Sequence, residues 1–597
     1  MDVMIKERVE ALRKWLVESN VDALIIPHED EFLGEYVPAH HERLLWVTGF
    51  TGSAGAAVIT ADKAAIFVDG RYTVQVTKQA PAEVFEYRHL IQEPALDWAI
   101  DNLPSGAKLA VDPKMHSHTW LQKAQDKLED QLELVLVSHN PVDTLWNDRP
   151  EPTVTDARLM GIDLVGQSSQ SKRAEIAELV KESKTDAALL TQLDSICWLL
   201  NIRGLDVSCL PVLLSHAIIH SNEEVEFFID PARLPEAFSE HVGSGVTVYS
   251  PQELEARLQA LSGKNVLVDP ATSNAWFTLT LQNSGAEVIN GDDPCLLPKA
   301  AKNDAEIQGM RACHLRDGAA MVNFLSWLDS EVEAKNFHDE AVLADKLHEF
   351  RKVDPTLADL SFDTISASAG NGAMCHYNHL NQPEPGKLEP NSLYLVDSGG
   401  QYSDGTTDIT RTVAIGKPTD EMIQQFTLVL KGHIALANAV FPHGTTGHQL
   451  DILARQFLWT NGYNFDHGTG HGVGHFLSVH EGPQRIAPAV NTVALLKGMV
   501  LSNEPGYYRA DEFGIRIENL ELVVDVETQG DSNMLGFESL TRCPIDKRNI
   551  DVNLLTRPEL QWLNDYHQKV WDEISPLVSG NALEWLKDAT SPLSYPN

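Results

Sequence analysis

The chain has 597 residues, 43% of them hydrophobic, and carries 85 acidic against 46 basic side chains, for a formal net charge of −39. That length exceeds what one hydrophobic core serves and predicts three or four domains. The charge disfavours a nucleic-acid partner, because such a field repels phosphate backbones; it favours solubility and weakly attracts metal ions and cationic peptides.

The first segment, MDVMIKERVEALRKWLVESN, patterns as an amphipathic helix without the apolar core of a signal peptide. Nowhere do 18 apolar residues run together, so no membrane span is expected. The six cysteines, at 197, 209, 295, 313, 375 and 543, show no CxxC spacing, which fits a reducing compartment. A cytoplasmic protein is therefore expected. Cys375 adjoins His376, and is read as a small buried residue and not as a nucleophile.

A degenerate repeat organises the N-terminal half. ERVEALRKWLVESNVDALIIP, a helix followed by an apolar strand, is echoed by KRAEIAELVKESKTDAALLT. LLWVTGFTG then corresponds to CWLLNIRG, and AAIFVDG to VEFFIDP. Two similar α/β domains are expected, over 1–150 and 151–300, ahead of a third at 301–597. The Pro-rich WNDRPEPTV at 146–154 reads as the first linker and GDDPCLLPKAAKND at 291–304 as the second. Asn303 with Glu306 forms a capping-box pattern opening a helix with Ile307, Met310, Leu315 and Met321; Thr556 with Glu559 opens another, with Leu560, Leu563 and Val570 on one stripe. That C-terminal appendage suits packing or dimer support better than chemistry.

In the third domain, acidic side chains fall in phase with apolar strands. Leu393, Leu395 and Asp397 share a face of NSLYLVDSGGQY, and Thr406, Asp408 and Thr410 share one in DGTTDITRTVAIG; the Asp-Gly between the runs reads as a hairpin turn. GMVLSNEPGYY aligns Val500, Ser502 and Glu504, and GIRIENLELVV aligns Arg516, Glu518 and Leu520. HGTGHGVGHFLSVHEGP adds His467, His471, His475 and His480; its glycines at 468, 470, 472 and 474 are read as allowing positive φ and close approach to a ligand. Any one of these residues alone has an ordinary turn or ion-pair reading. Together, Asp397, Asp408, His471, Glu504 and Glu518 are read as a dinuclear metal site, since four buried carboxylates without a cation cost several kcal/mol each. Such cation pairs, about 3.5–4 Å apart, activate water for hydrolysis.

VDSGGQYSDGTTDITRT, HGTGHGVGHFLSVHEGP, SNEPGYY and GIRIEN resemble the signatures of the Xaa-Pro aminopeptidases, the aminopeptidase P branch of the pita-bread metallopeptidases. FTGSAGAAVIT with FVDGRY, SICWLLNIRG and LQWLNDYHQKV extend the resemblance, to the long three-domain cytosolic form, along essentially the whole chain. It implies an α/β (α+β) fold with two creatinase-like domains before a pita-bread catalytic domain, a homodimer, and peptides with proline in second position as substrates. It makes Asp397 the ligand of one metal, Asp408 and Glu518 bridges, and His471 and Glu504 the remaining ligands of the other. His376, His467 and His480 match the family's metal-free active-site histidines. The family has a non-histidine residue where His475 stands, and a loop position facing solvent or the cleft wall is expected for it. Carboxylate dominance and the family favour Mn²⁺, with Zn²⁺ and Co²⁺ chemically admissible.

The expected reaction is attack by a water or hydroxide shared between the cations, with Glu504 as ligand and proton shuttle. His467 or His480 would polarise the scissile carbonyl. Arg516 would hold a metal carboxylate or the substrate, and Tyr507 or Tyr508 would seat the proline ring. A prolidase, or a non-catalytic binding protein of the same fold, remains the alternative.

Overall fold

Strand order carries the sequence repeat into three dimensions. The computed structural model describes residues 2–73, 75–382 and 384–596. One unit comprises Met1–Met160, Gln167–Ser208 and Val212–Cys295; the other comprises Gly161–Gly166, Cys209–Pro211 and Leu296–Asn597. The first unit holds two six-stranded mixed sheets. In spatial order these run Glu86–His89, Ala64–Val68, Gly55–Thr60, Ala23–Pro27, Lys108–Val111, Glu133–Leu136, and Val246–Tyr249, Val225–Phe228, His216–His220, Ala187–Leu190, Asn265–Val268, Glu287–Asn290. Both have the same pattern: antiparallel pairing among the second to fourth strands and parallel pairing elsewhere.

The two copies meet through equivalent residues. VDPKMHSHTW and VDPATSNAWF each end a parallel strand and open a helix, His118–Leu128 or Ala275–Ser284. Ser117 and Asn274, the residues ahead of those helices, form an antiparallel bridge. The His118 N–H donates to Ser273 O (3.1 Å) and the Ala275 N–H to His116 O (2.8 Å). The Thr119 N–H donates to Pro270 O (2.8 Å) and the Trp276 N–H to Pro113 O (3.2 Å). Each bond thus has a counterpart with the roles of the copies exchanged. First-turn N–H groups that a helix cannot satisfy itself are satisfied by the other repeat, in the pattern of an isologous contact within one chain.

WNDRPEPTV lies outside helices and strands, and it runs within the first unit. The second Pro-containing stretch contains a short helix, Leu296–Ala300, and the units part between Cys295 and Leu296.

The second unit contains the 30-residue helix Asp304–Glu333, which Asn303 and Glu306 cap reciprocally. Ile307, Met310 and Met321 are buried along it, and Leu315 packs against the core from a partly buried position. A three-stranded sheet (Ile365–Ser368, Ser392–Ser398, Ile409–Ile415) and a six-stranded one centred on Asn519–Val526 and Val500–Asn503 carry the acidic residues. Helices Asp420–Ala437, Gly447–Trp459 and Arg557–Ile574 cover them; the last has the expected Thr556/Glu559 box and buries Leu560, Leu563 and Val570.

The structure amends three sequence readings. GIRIENLELVV is not one strand: Phe513–Arg516 pairs with Gly506–Arg509, whereas Asn519–Val526 pairs with Val500–Asn503 and Met534–Ser539, leaving Glu518 at the joint. The hairpin near Asp404 turns on Ser403 and Asp404, with Gly405 already paired to Tyr402. Cys375 is half-buried, while the other five cysteines are buried, and none is in a disulfide. Among the described residues no helix is long and apolar enough to cross a membrane.

Asn303 Oδ1 accepts from the Ala305 and Glu306 N–H groups (3.0 and 3.1 Å), and its Nδ2 donates to Val165 O (2.8 Å). Asn303→Ala should therefore cost about 1–2 kcal/mol, read as a lower urea midpoint for the metallated protein; an unchanged midpoint would show the cap to be dispensable.

Candidate metal centre

Two bent ladders bring the carboxylates together. Asp397 lies within Ser392–Ser398, opposite Thr410, and Asp408 immediately precedes Ile409–Ile415. Asn503 pairs with Asn519, so Glu504 and Glu518 occupy the next rung, just beyond regular pairing. The Glu518 N–H donates to Thr410 O (3.2 Å), and Thr410 Oγ1 donates to Glu518 Oε2 (2.8 Å), tying one ladder to the other. Asp397, Asp408 and Glu518 are 8%, 4% and 1% exposed, which makes their compensation the controlling problem of the site.

The ligand atoms of Asp408, His471 and Glu518 lie within 4.8 Å of one another. His471 Nε2 is 3.5 Å from Asp408 Oδ2 and 3.5 Å from Glu504 Oε1. Its other nitrogen, Nδ1, meets Gly472 O at 2.8 Å, which directs Nε2 at the carboxylates. Ser502 Oγ accepts from the His471 N–H (2.9 Å) and donates to Glu504 Oε1 (3.0 Å). Arg516 holds the fourth carboxylate: Nη2 donates to Asp397 Oδ2 (2.5 Å), Nε to Thr410 Oγ1 (3.2 Å) and Nη1 to Tyr508 OH (2.7 Å). Thr410 and Ser502 are functional contributors that the sequence reading placed on the right strand faces without assigning them work; their in-phase position was the available signal.

The electrostatics call for positive charge. Burial, opposed by Arg516 and reinforced by Asp408, pushes the Asp397 carboxyl up to about 6. Burial, against His471 and Arg516 and with Asp408 and Asp397, pushes Glu504 up to about 7. Glu518 is driven well above the carboxylate range by burial and by Asp408, Glu504 and Asp397. Burial disfavours the His471 cation, yet the Asp408 hydrogen bond and the Glu504 and Asp408 charges raise it to about 9. Asp397 Oδ1 and Asp408 Oδ1 are buried with no hydrogen-bond partner. Four carboxylates, an imidazole nitrogen aimed at them and two oxygens without donors fit hard or borderline divalent cations.

Glycines in the His/Gly segment act through close approach. None of the four at 468, 470, 472 and 474 has positive φ; Phe476 does, at 48°. A Cβ on Gly470 would stand 1.9 Å from Ser502 O, so only glycine lets the His471 strand lie against Val500–Asn503.

The remaining candidates flank this centre. The His480 ring packs edge-on against His471 (centroids 4.5 Å, 73°). His467 Nε2 meets Tyr508 OH at 2.7 Å and Nδ1 meets Gly468 O at 2.6 Å; burial and then Arg516 lower its pKa to about 3, so it is neutral. Tyr508 is half-buried, whereas Tyr507 is a core residue beside Phe513 and Tyr463, which leaves Tyr508 as the aromatic surface. His376 is half-buried, next to the half-buried Cys375. His475 does not face solvent or a cleft: it is 2% exposed, its Nε2 packed where a Cβ on Gly309 would stand 3.1 Å away.

Known families cover the chain almost end to end. A Creatinase/Prolidase N-terminal domain matches residues 8–145 and a second matches 148–306; Metallopeptidase family M24 matches 308–525, and the C-terminal region of peptidase M24 matches 533–593. A probable Xaa-Pro aminopeptidase P from Laccaria bicolor is 39% identical over 98% of this chain and 93% of its own length. The chain belongs to metallopeptidase family M24. Aminopeptidase P2 of Arabidopsis thaliana is 38% identical over 100% of this M24 chain and 89% of its own length. The crystal structure of X-prolyl aminopeptidase from Caenorhabditis elegans, described as a cytosolic enzyme with a di-nuclear active site, superimposes with a TM-score of 0.94. It is 34% identical and covers 99% of this chain and 100% of that one. The M24 fold is thus the mixed α/β arrangement expected, with creatinase-type domains preceding a pita-bread domain.

Because the clash at Gly470 is with backbone, Gly470→Ala should destabilise the M24 domain by about 2 kcal/mol or more and lower its metal content. Wild-type stability and stoichiometry would contradict the close-approach role.

Proposed function

We propose that this chain is a metal-dependent Xaa-Pro aminopeptidase, an exopeptidase that releases the N-terminal residue from peptides with proline in second position. The observation that carries this reading is the convergence of Asp397, Asp408, His471, Glu504 and Glu518, with two buried carboxylate oxygens lacking any donor. The donor set fits two divalent cations: Asp397 would hold one, His471 and Glu504 the other, and Asp408 and Glu518 would be shared. Mn²⁺ suits the oxygen-rich set, and Zn²⁺ or Co²⁺ would be accepted. Such a pair supplies Lewis acidity, bringing the pKa of water towards 7 and stabilising negative charge at a carbonyl oxygen.

The chain's own residues do the rest. Glu504 takes the proton of the attacking water and returns it to the departing nitrogen, with its Oε1 steadied by Ser502 Oγ. His480, beside His471, polarises the scissile carbonyl. His467 presents its ring with Tyr508, and His376 is assigned to substrate on the family resemblance. An X-Pro bond is a tertiary amide with no N–H; the half-buried Tyr508 ring offers its proline an apolar face, and Arg516 serves substrate indirectly by holding Tyr508 OH and Asp397. Domains at 1–150, 151–300 and 301–597, supported by the two matched N-terminal domains, and a cytoplasmic location, supported by the cytosolic description of the Caenorhabditis elegans enzyme, complete the proposal, with a homodimer as the family resemblance implies.

Cleavage of X-Pro-Y and X-Pro-Y-Z peptides should exceed cleavage of X-Ala-Y by about 100-fold in kcat/KM, since a site shaped for the ring loses its contacts with alanine. Equal rates would indicate a general aminopeptidase, and cleavage of X-Pro dipeptides alone a prolidase.

His480→Ala should keep its metals while kcat falls about 10²–10³-fold, the size of one lost oxyanion donor; His471→Ala should lose metal first. Both lie in one segment, so circular dichroism on the pair controls for local damage, and a folded but metal-free His480→Ala protein would reverse the two assignments.

A further inference from the structure

The helix Gly447–Trp459 carries a buried ion pair that the reaction above does not use. Arg455 is 1% exposed and Asp451, one helical turn earlier, 4%. Arg455 Nε donates to Asp451 Oδ2 at 2.7 Å. The rest of its guanidinium fork grips the chain on both sides of Asp466: Nη1 donates to Phe465 O (2.6 Å) and Nη2 to His467 O (2.7 Å). Nη1 also reaches Asn464 Oδ1 (3.3 Å), and the guanidinium lies 3.8 Å over the Phe465 ring. The fixed planar geometry of this fork leaves residues 464–467 one way to run.

The other end of the pair is equally committed. Asp451 Oδ1 accepts from Thr469 Oγ1 at 2.6 Å, and Thr469 O in turn accepts the Glu504 N–H at 2.8 Å. One ion pair therefore fixes the backbone of His467 through its arginine and the backbone of Glu504 through its aspartate.

We infer that Asp451 and Arg455 are positioning residues that set His467 in register with Glu504, so that the substrate-facing histidine and the proton-transferring carboxylate act on one peptide bond. The inference rests on the proposed roles of those two residues. It explains why a paired charge is placed under the Gly/His segment, where apolar packing of the same volume would often be as stable: the arginine fork holds residues 465 and 467 while the aspartate holds Thr469. Displacement of a reacting group by about 1 Å costs on the order of 100-fold in rate.

Arg455→Lys keeps the charge and removes the fork. On the full-length metallated protein it should lower kcat for an X-Pro-Y peptide about 10–100-fold, with KM changed less than threefold, metal stoichiometry unchanged and circular dichroism preserved. The deciding readout is a double-mutant cycle with His467→Ala: with His467 already gone, Arg455→Lys should cost less than about threefold more. Full multiplication of the two losses, or wild-type kcat in Arg455→Lys, overturns the inference. Wild-type activity of His467→Ala itself overturns the functional reading of that histidine along with it. Should Arg455→Lys not fold, Thr469→Val, which deletes only the hydroxyl held by Asp451, should show the same fall in kcat, and wild-type kcat there contradicts the proposal.

Discussion

The rest of the M24 domain answers one electrostatic demand, the gathering of four carboxylates, three buried and Glu504 half-buried, about one imidazole. Each ion loses several kcal/mol of hydration, and their mutual repulsion adds to that. Arg516 compensates Asp397 directly, and Thr410 and Ser502 each supply one hydroxyl, to Glu518 and Glu504. These donors are too few. Asp397 Oδ1 and Asp408 Oδ1 have none, and the raised pKa values of Asp397, Glu504 and Glu518 register the same deficit. A pair of divalent cations removes it, so the site is read as a binding site before it is read as a catalytic one.

Asp397 and His471 lie within strands, whereas the other three acidic residues are placed by strand ends. Glu504, Glu518 and Asp408 each stand one residue beyond regular pairing. There the ladder no longer consumes both neighbours' backbone groups, and the side chain can turn towards a common centre. Two joints hold the convergence: the Thr410–Glu518 contacts between ladders, and the glycine-dependent approach of the His471 strand to Ser502.

Much of this was legible in the chain. Period-two alternation placed Asp397 with Leu395 and Glu504 with Ser502, and the capping boxes at Asn303 and Thr556 opened helices where expected. Alternation could not reveal that Ile517 and Glu518 break one apparent strand into two, because β-rich residues continue straight through the joint. Glycine identity was read as close approach to a ligand and as positive φ; at 470 the close approach found is to the Ser502 backbone, and the positive φ falls on Phe476. His475 lies in a loop as expected but looked solvent-facing because the surface that buries it, the helix at Gly309, is 166 residues away in sequence. The repeat itself was visible in sequence, whereas the reciprocal hydrogen bonds between its copies depend on backbone groups, which sequence does not display.

The most direct test of this account is the metal stoichiometry of the purified full-length protein, by inductively coupled plasma mass spectrometry after dialysis against Mn²⁺, beside the Asp408→Ala variant. The wild type should hold two ions per chain, and removal of the shared carboxylate should release at least one, together with activity. Two ions bound at unchanged affinity in folded Asp408→Ala would contradict it.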